Sequence, residues 1–332
     1  MGCILQIGVV GINYKIADLS FRESIARAAA GLSGEKSLFF PHPIILLSTC
    51  NRTEIYFGGA DLATSHVDLL SYLRKQIGEP FEHRLYSYFG LDCFAHLGRV
   101  TAGLDSAIIA ETEIQRQVKT AYVKSCEFST LTSSMHYAFQ KSLKLGKFVR
   151  SQFEIDRKAP TLFHAIWQLA SEKLGPLAAK RILLIGHSDL NRGIAFSLEK
   201  KGIKSFSLVT KNPAAVRLPG CTAHPRSELE RWQEYDLLIC AASSDSYLIS
   251  GQSNRLQVVF DLSVPRNIDP QIAANPKITL YNIEELNTWI EKKRDWQSAQ
   301  TSFCNELVTK QTHLFARAYR HKNLFRDQLA TL

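Results

Sequence analysis

Residues 44–57 read IILLSTCNRTEIYF, and this stretch sets the pattern for the first half of the chain. Ile44–Leu47 is a short apolar run and Ser48–Thr53 is polar. Glu54–Phe57 then resumes with β-branched and aromatic residues before Gly58-Gly59. Two runs of strand length around a polar cluster predict a strand–turn–strand unit. The turn carries a thiol, Cys50, with a guanidinium two residues on at Arg52. A nearby fixed positive charge lowers a thiol's pKa, and the thiolate is the nucleophilic form. The same guanidinium could hold a substrate carboxylate through a bidentate fork. A free cysteine at a strand end is equally at home as a small buried hydrophobe. The residues alone leave these readings open.

Outward from the turn, Ile4–Val10 predicts a first strand and Leu19–Ala30 a helix, with Ser20 as cap and Glu23 closing a capping box. Leu62–Gln76 reads as an amphipathic helix stopped by Gly78 and Pro80, and Leu85–Phe89 as another strand. That order of strands and helices suggests an α+β domain of ferredoxin-like type. From Asp92 to Arg150 the pattern is helical: one helix contains Cys93–Val100, Ala102–Ser106 breaks it, and Glu111–Lys124 makes another. Lys141–Arg150 is a basic helical stretch, either a solvated face or a contact for phosphates.

The second half changes period. Pro160–Leu174 predicts a helix, Arg181–Gly186 a buried strand, Leu190–Lys201 a helix and Ser205–Thr210 a strand. A unit of this size is that of a dinucleotide-binding βαβ. Asp236–Cys240 and Val258–Leu262 continue the sheet. Its first turn, Gly186-His187-Ser188-Asp189-Leu190-Asn191, departs from G-x-G-x-x-G. The Ser188 side chain is expected to crowd a pyrophosphate there. Lys211 follows the second strand, where a cation accepts the 2′-phosphate of NADP. After Pro276 there is no Gly or Pro. Asn282 and Glu285 open a helix, and Ala299, Phe303, Leu307, Leu314 and Ala318 form an apolar stripe along it. Roughly forty helical residues would extend about 60 Å, too long to pack on one domain.

The chain has 332 residues, enough for two or three domains, and 45% of them are apolar, which is ordinary for a soluble protein. Seven cysteines, an odd number without a C-x-x-C pair, fit neither a disulfide framework nor a zinc cluster; a reducing cytoplasm is the expected setting. No apolar run is long enough for a membrane span. Met1-Gly2-Cys3 lacks the Ser or Thr at position 6 that myristoylation wants, and no basic segment precedes Ile4. The net charge of +9 favours a polyanionic partner.

Several motifs in order resemble one family. Ser48-Thr49-Cys50-Asn51-Arg52-Thr53-Glu54 resembles the active-site signature of glutamyl-tRNA reductase, which opens the C5 route to tetrapyrroles. Gly11-Ile12-Asn13-Tyr14-Lys15 is similar to its G-I-N-H-K, with Tyr14 replacing the histidine. The block from His96 onward resembles H-L-x-R-V-A-S-G-L-D-S…G-E-x-Q-I-L-G-Q-V-K. His96, Ser106, Glu111 and Gln117 match it, and Ala102, Ala110, Glu113 and Arg116 depart. Gly146–Arg150 is similar to G-K-x-V-R, and Gly186–Leu190 stands at G-A-G-E-M. Lys211 stands at the arginine of N-R-T, and Asp261–Pro270 resembles D-x-A-V-P-R-D-I-x-P.

The resemblance implies a multi-domain α/β enzyme. Its parts would be a ferredoxin-like α+β catalytic domain binding glutamyl-tRNA (1–156), a Rossmann-type NADPH domain (157–282), and a spinal helix with a shortened tail (283–332). The family's dimerisation domain is expected to be missing, leaving a monomer or weak homodimer. The implied reaction is NADPH-dependent reduction of glutamyl-tRNA(Glu) to glutamate-1-semialdehyde. Cys50 would form a thioester, and His96 would polarise the carbonyl or move protons. Thr49, Asn51, Arg52, Ser106, Glu111, Thr112, Glu113 and Gln117 would contact the substrate. Gly186, His187, Ser188, Asp189, Leu190, Asn191 and Lys211 would contact the cofactor. No metal is expected, and a glutamate-1-semialdehyde aminomutase is a candidate partner. Two rival readings are a cofactor-independent Cys acyl-transferase or esterase, suggested by Ser188, and a non-catalytic tRNA-binding regulatory protein, suggested by the basic charge.

Overall fold

Strand β1 (Ile7–Asn13, IGVVGIN) is buried along its whole length, as a run this apolar must be when both faces of its sheet are covered. It starts three residues later than the sequence predicts. The computed structural model describes residues 5–78, 80–106, 113–152, 161–292 and 298–330. The chain divides into two units, one of Met1–Ala159 with Asp295–Leu332, the other of Pro160–Arg294.

In the first unit β1 leads to helix α1 (Leu19–Ala29), capped by Asp18, whose carboxylate accepts from Phe21 N at 2.8 Å. The predicted cap, Ser20, lies inside the first turn. Strands β2 (Ile44–Ser48) and β3 (Arg52–Gly58), helix α2 (Leu62–Gln76) and strand β4 (Tyr86–Phe89) follow. The sheet order is β2-β3-β1-β4, and each recorded pairing is antiparallel. β3 thus separates the parallel pair β1 and β2, the split βαβ of the expected ferredoxin-like fold. One face packs Val10, Ile12, Ile55 and Phe57 on α1 and α2. The other packs Val9, Ile45, Leu47 and Tyr56 on helices α3 (Gly90–Ala102), α4 (Glu113–Phe128) and α5 (Ser133–Gln152).

The basic stretch on α5 is mostly a packing surface. Leu145 and Val149 are buried, and a Cβ on Gly146 would stand 2.6 Å from the Thr101 carbonyl, so glycine lets α5 approach α3. Arg150 turns inward and donates to Thr101 O at 2.8 Å; Lys144 and Lys147 are exposed.

The second unit contains helix α6 (Leu162–Leu174), strand β5 (Ile182–Ile185), helix α7 (Asp189–Lys200) and strands β6 (Phe206–Thr210), β7 (Cys221–Pro225), β8 (Leu237–Cys240), β9 (Gln257–Asp261) and β10 (Ile278–Asn282). All pairings are parallel in the order β10-β9-β8-β5-β6-β7, the doubly wound Rossmann arrangement. The chain leaves β5 for β6 and β7 on one side and returns to β8 on the other. The crevice at the carboxyl ends of β5 and β8 is therefore a topological switch point. Helix α8 (Ile283–Lys292) opens with the predicted capping box: Asn282 Oδ1 accepts from Glu284 N and Glu285 N, and Asn282 N donates to Glu285 Oε2 at 2.8 Å.

The last helix, α9 (Ser298–Ala330), returns to the first unit, and residues 293–297 lie outside the described residues. It packs on α3 and α5 through Cys304, Val308, Thr312, Tyr319 and Asn323, which are buried. Of the predicted stripe, Leu307 packs half-buried against this face, whereas Phe303 is 58% exposed and Leu314 and Ala318 are also exposed. Thr312 and Asn323 disguised the packed face. Thr312 satisfies its hydroxyl by donating to Val308 O at 2.9 Å, and can then be buried. Among the described residues no helix is long and apolar enough to cross a membrane.

Candidate functional site

β2 and β3 join through a tight hairpin whose tip is Cys50-Asn51. Thr49 N donates to Arg52 O at 2.8 Å, and the Thr49 hydroxyl oxygen accepts from Asn51 N and Arg52 N, both at 3.2 Å. A short hydroxyl side chain can hold a turn this way by replacing backbone partners. The tip is gripped from outside as well. Arg22 of α1, 1% exposed, donates Nη1 to Cys50 O at 2.6 Å, and Tyr14 N donates to Asn51 O at 2.9 Å. Cys50 itself is half-buried and not in a disulfide.

Strand alternation puts Arg52, Glu54 and Tyr56 on the same face of β3, toward α3. Glu54 is 0% exposed and collects four donors: Arg52 Nη1 at 2.9 Å, Tyr86 OH at 2.6 Å and His96 Nε2 at 2.9 Å on one oxygen, and Tyr56 OH at 2.6 Å on the other. Burial by itself would raise the Glu54 carboxyl's pKa. His96 and Arg52, with the hydrogen bonds from His96 and Tyr56, more than offset this and hold it well below the carboxylate range. An ionised Glu54 can only accept, so His96 presents Nε2–H to it, and Nδ1 is the nitrogen not engaged with Glu54. Burial and the Glu54 charge push the Tyr86 and Tyr56 hydroxyls well above their usual pKa, so both remain donors.

Arg52 is 2% exposed. Besides Glu54 it binds Asp105, through Nη1 to the carboxylate at 3.1 Å and Nη2 to the carbonyl at 2.5 Å. Burial works to lower its pKa, but Glu54 and Asp105 raise it. Asp105 also takes Lys15 Nζ at 2.5 Å. Burial opposes the Asp105 charge, whereas Arg52 and Lys15 win and lower its pKa. Tyr86 reaches Glu54 by crossing over β1: a Cβ on Gly11 would stand 2.6 Å from its ring, which is why this strand position is glycine. Beside the network lies a cavity of about 480 Å³, walled by Asn13, Lys15, Tyr86, Tyr88, His96 and Arg99 among others.

The structure thus joins Thr49, Cys50, Asn51, Arg52 and His96, with Ser106 buried next to Asp105. Glu113 and Gln117 form a cluster on α4, where Gln117 donates to Glu113 at 3.2 Å and Arg116 pairs with Glu113. Glu111 and Thr112 lie outside the described residues. Arg22, Glu54, Tyr56, Tyr86 and Asp105 were not picked out from the sequence. The period-2 alternation of polar Arg52, Glu54 and Tyr56 in a strand bracketed by apolar runs was the available signal.

In the second unit, Gly186 has φ 97°, and a Cβ there would stand 2.6 Å from Ala241 O at the end of β8. Ser188 is the N-cap of α7, its hydroxyl oxygen accepting from Asn191 N at 3.2 Å. The side chain expected to crowd a pyrophosphate is therefore engaged with the helix. Asn191 is buried and donates Nδ2 to Ile185 O and Gly186 O at 2.9 and 2.8 Å. Asp189 pairs with Arg192; His187 and Leu190 are half-buried; Lys211 is exposed just past β6. A glycine cradle and a helix N-terminus at the switch point fit a dinucleotide. After β9, Asp261 accepts from Ser263 N, Asn267 N and Ile268 N, at 3.0, 2.9 and 2.9 Å; burial nonetheless pushes its pKa up to about 6.

Residues 10–153 match the family described as glutamyl-tRNAGlu reductase, N-terminal domain, and residues 168–289 that described as shikimate / quinate 5-dehydrogenase. The glutamyl-tRNA reductase of Deinococcus radiodurans is 32% identical over 305 residues, covering 87% of this chain and 85% of the relative. That of Chlamydia abortus is 33% identical over 302 residues, covering 87% and 86%. The solved glutamyl-tRNA reductase of Methanopyrus kandleri shares the fold with a TM-score of 0.51 at 21% identity, over 95% of this chain and 81% of that one. Both the relatives and the Rossmann domain imply a nicotinamide cofactor. Similarity of this extent across both units makes the chain a member of the glutamyl-tRNA reductase family of oxidoreductases.

Proposed function

We propose that the protein reduces glutamyl-tRNA(Glu) to glutamate-1-semialdehyde with NADPH, through a thioester on Cys50. The observation that carries the reading is the hairpin tip, where Arg22 holds the Cys50 carbonyl and Thr49 and Tyr14 hold the Asn51 backbone, beside a buried network containing His96. The Cys50 sulfur attacks the ester carbonyl; the C–S bond forms, the C–O bond breaks, and the ribose oxygen leaves with a proton. His96, hydrogen-bonded to Glu54, would take the Cys50 thiol proton on Nδ1 and pass it to that oxygen. Bound NADPH would supply a hydride to the acyl carbon; the C–S bond then breaks, giving the aldehyde and regenerating the thiolate. Gly186, Ser188 and the first turn of α7 would hold its pyrophosphate, and Lys211 its 2′-phosphate.

Arg52 serves best as the residue that fixes the hairpin against Asp105 and Glu54, since its guanidinium is already committed inside the fold. Product analysis with glutamyl-tRNA tests the proposal. Aldehyde is expected only when NADPH is present, with acyl-Cys50 trapped when it is absent. Release of free glutamate, with no aldehyde under either condition, would instead make this a cofactor-independent esterase.

A further inference from the structure

The cavity beside His96 is larger and more cationic than an aminoacyl group requires. Its volume, about 480 Å³, lies within the range of about 300–1,000 Å³ typical of sites for larger ligands. Among the described residues, Lys15, Arg84, Arg99, His83 and His96 line it against one carboxylate, Asp105. Most of these groups are committed. Lys15 pairs with Asp105, Arg84 pairs with Asp18 at 3.1 Å, and His96 pairs with Glu54. Arg99 is half-buried; its carbonyl accepts from Leu104 N, and among the described residues its guanidinium has no hydrogen bond or ion pair. It sits three residues after His96 on α3, hence on the same helix face one turn along the cleft. Opposite that face, Tyr88 and Tyr86 make an aromatic wall with His96: centroids lie 5.4 Å apart for Tyr86–Tyr88 and 5.0 Å for Tyr88–His96.

A half-buried guanidinium beside a half-buried tyrosine ring that lines the same cavity is the chemistry that receives a single-stranded nucleotide. The phosphodiester goes to the guanidinium, and the base stacks on a ring. We infer that the Arg99–Tyr88 side of this cleft is the subsite for the 3′-terminal nucleotide of the acyl donor, with Arg99 on its phosphate and Tyr88 against its base. This rests on the reading of glutamyl-tRNA as substrate. It assigns the Arg99–Tyr88 side of the cavity to nucleic acid and leaves the rest to the glutamyl group.

Fluorescence anisotropy with a short single-stranded RNA carrying the 3′ end of tRNA tests it, alongside reduction of glutamyl-tRNA by the same proteins. Arg99→Ala is expected to weaken oligonucleotide binding about tenfold and to flatten the slope of log K against log salt by about 0.7, one phosphate contact on a single strand. Tyr88→Leu is expected to weaken binding about tenfold with the slope unchanged, since stacking carries no counterion release. Unchanged affinity and slope in Arg99→Ala overturn the subsite. So does a variant that binds the oligonucleotide normally but is inhibited less by free glutamate, because Arg99 would then serve the acyl group. Wild-type protein that reduces glutamyl-tRNA but does not bind the oligonucleotide overturns the subsite alone. Wild-type protein that does neither removes the underlying reading as well.

Discussion

The turn at Thr49–Arg52 is held by side chains from four directions: the Thr49 hydroxyl, the Arg22 guanidinium, and the Arg52 links to Glu54 and Asp105. The turn at Gly186–Asn191 is held close to the sheet and presents mainly backbone. Gly186 N donates to Val209 O at 2.8 Å, Asn191 ties the turn to β5 from beneath, and Ser188 caps α7. A thioester on Cys50, as proposed, would need one sulfur in one place, and buried charge over-determines the first turn. A phosphate cradle, as proposed, would need amides and room, and the second turn keeps both because the Ser188 hydroxyl is engaged in capping α7.

The sharpest break of this comparison is Cys50→Ser. Reduction should fall to background, because a serine hydroxyl without a paired base is a poor nucleophile and would give an ester that resists hydride. Since Cys50 contributes no disulfide, stability should stay within about 0.5 kcal/mol of wild type. Substantial reductase activity in this variant would remove the nucleophile from the first turn. Glu54→Ala comes next: it leaves Arg52 buried beside one fewer partner, and denaturant titration should show a loss of about 3–5 kcal/mol. A loss below about 1 kcal/mol would mean that the network does not hold the hairpin.

The two units should also respond to acid in opposite senses. Glu54 has a folded pKa below its usual 4.5, so its contribution is complete above that value and is lost as pH falls toward the folded one. Asp261 is raised from 3.8 to about 6, so the fold holds its proton where the unfolded chain has lost it. Stability of the second unit should therefore fall as pH rises from about 4 through 6, by about 3 kcal/mol. Calorimetry of Asp261→Asn should lose this slope, and an unaltered pH profile would place it elsewhere.

Smaller effects test the open turn. Lys211→Ala should reduce the preference for NADPH over NADH about tenfold, the loss of one charge-assisted contact. An unchanged cofactor ratio would move the 2′-phosphate to another residue. Ser188→Gly should alter NADPH affinity by less than about twofold and stability by only a few tenths of a kcal/mol, as expected when glycine replaces a capping serine. A large gain in affinity would instead mean that the serine does crowd the pyrophosphate.

Much of this was legible in the sequence because it is local. The period of apolar residues, the glycines and prolines between runs, and the Asn282–Glu285 capping box each depend on neighbours within a few positions. The strand–turn–strand at 44–57, helix α2 and the βαβ core consequently lie close to their predicted bounds. Strand β7 was illegible: CTAHP has no apolar run and lies at the sheet edge, where one neighbouring strand suffices to pair it. The packed face of α9 was misread because two of its buried residues, Thr312 and Asn323, are polar; Thr312 satisfies its hydroxyl at Val308 O of its own helix and so can be buried. Tertiary structure also decided where the Arg52 guanidinium is bound. Its spacing from Cys50 suggested a partner for thiolate or substrate. Only the approach of Asp105, fifty-three residues away, and the burial of Glu54 show the guanidinium facing inward. Charge at long sequence separation leaves no periodic trace, so a pattern can point to the cysteine but not to the groups that hold it in place.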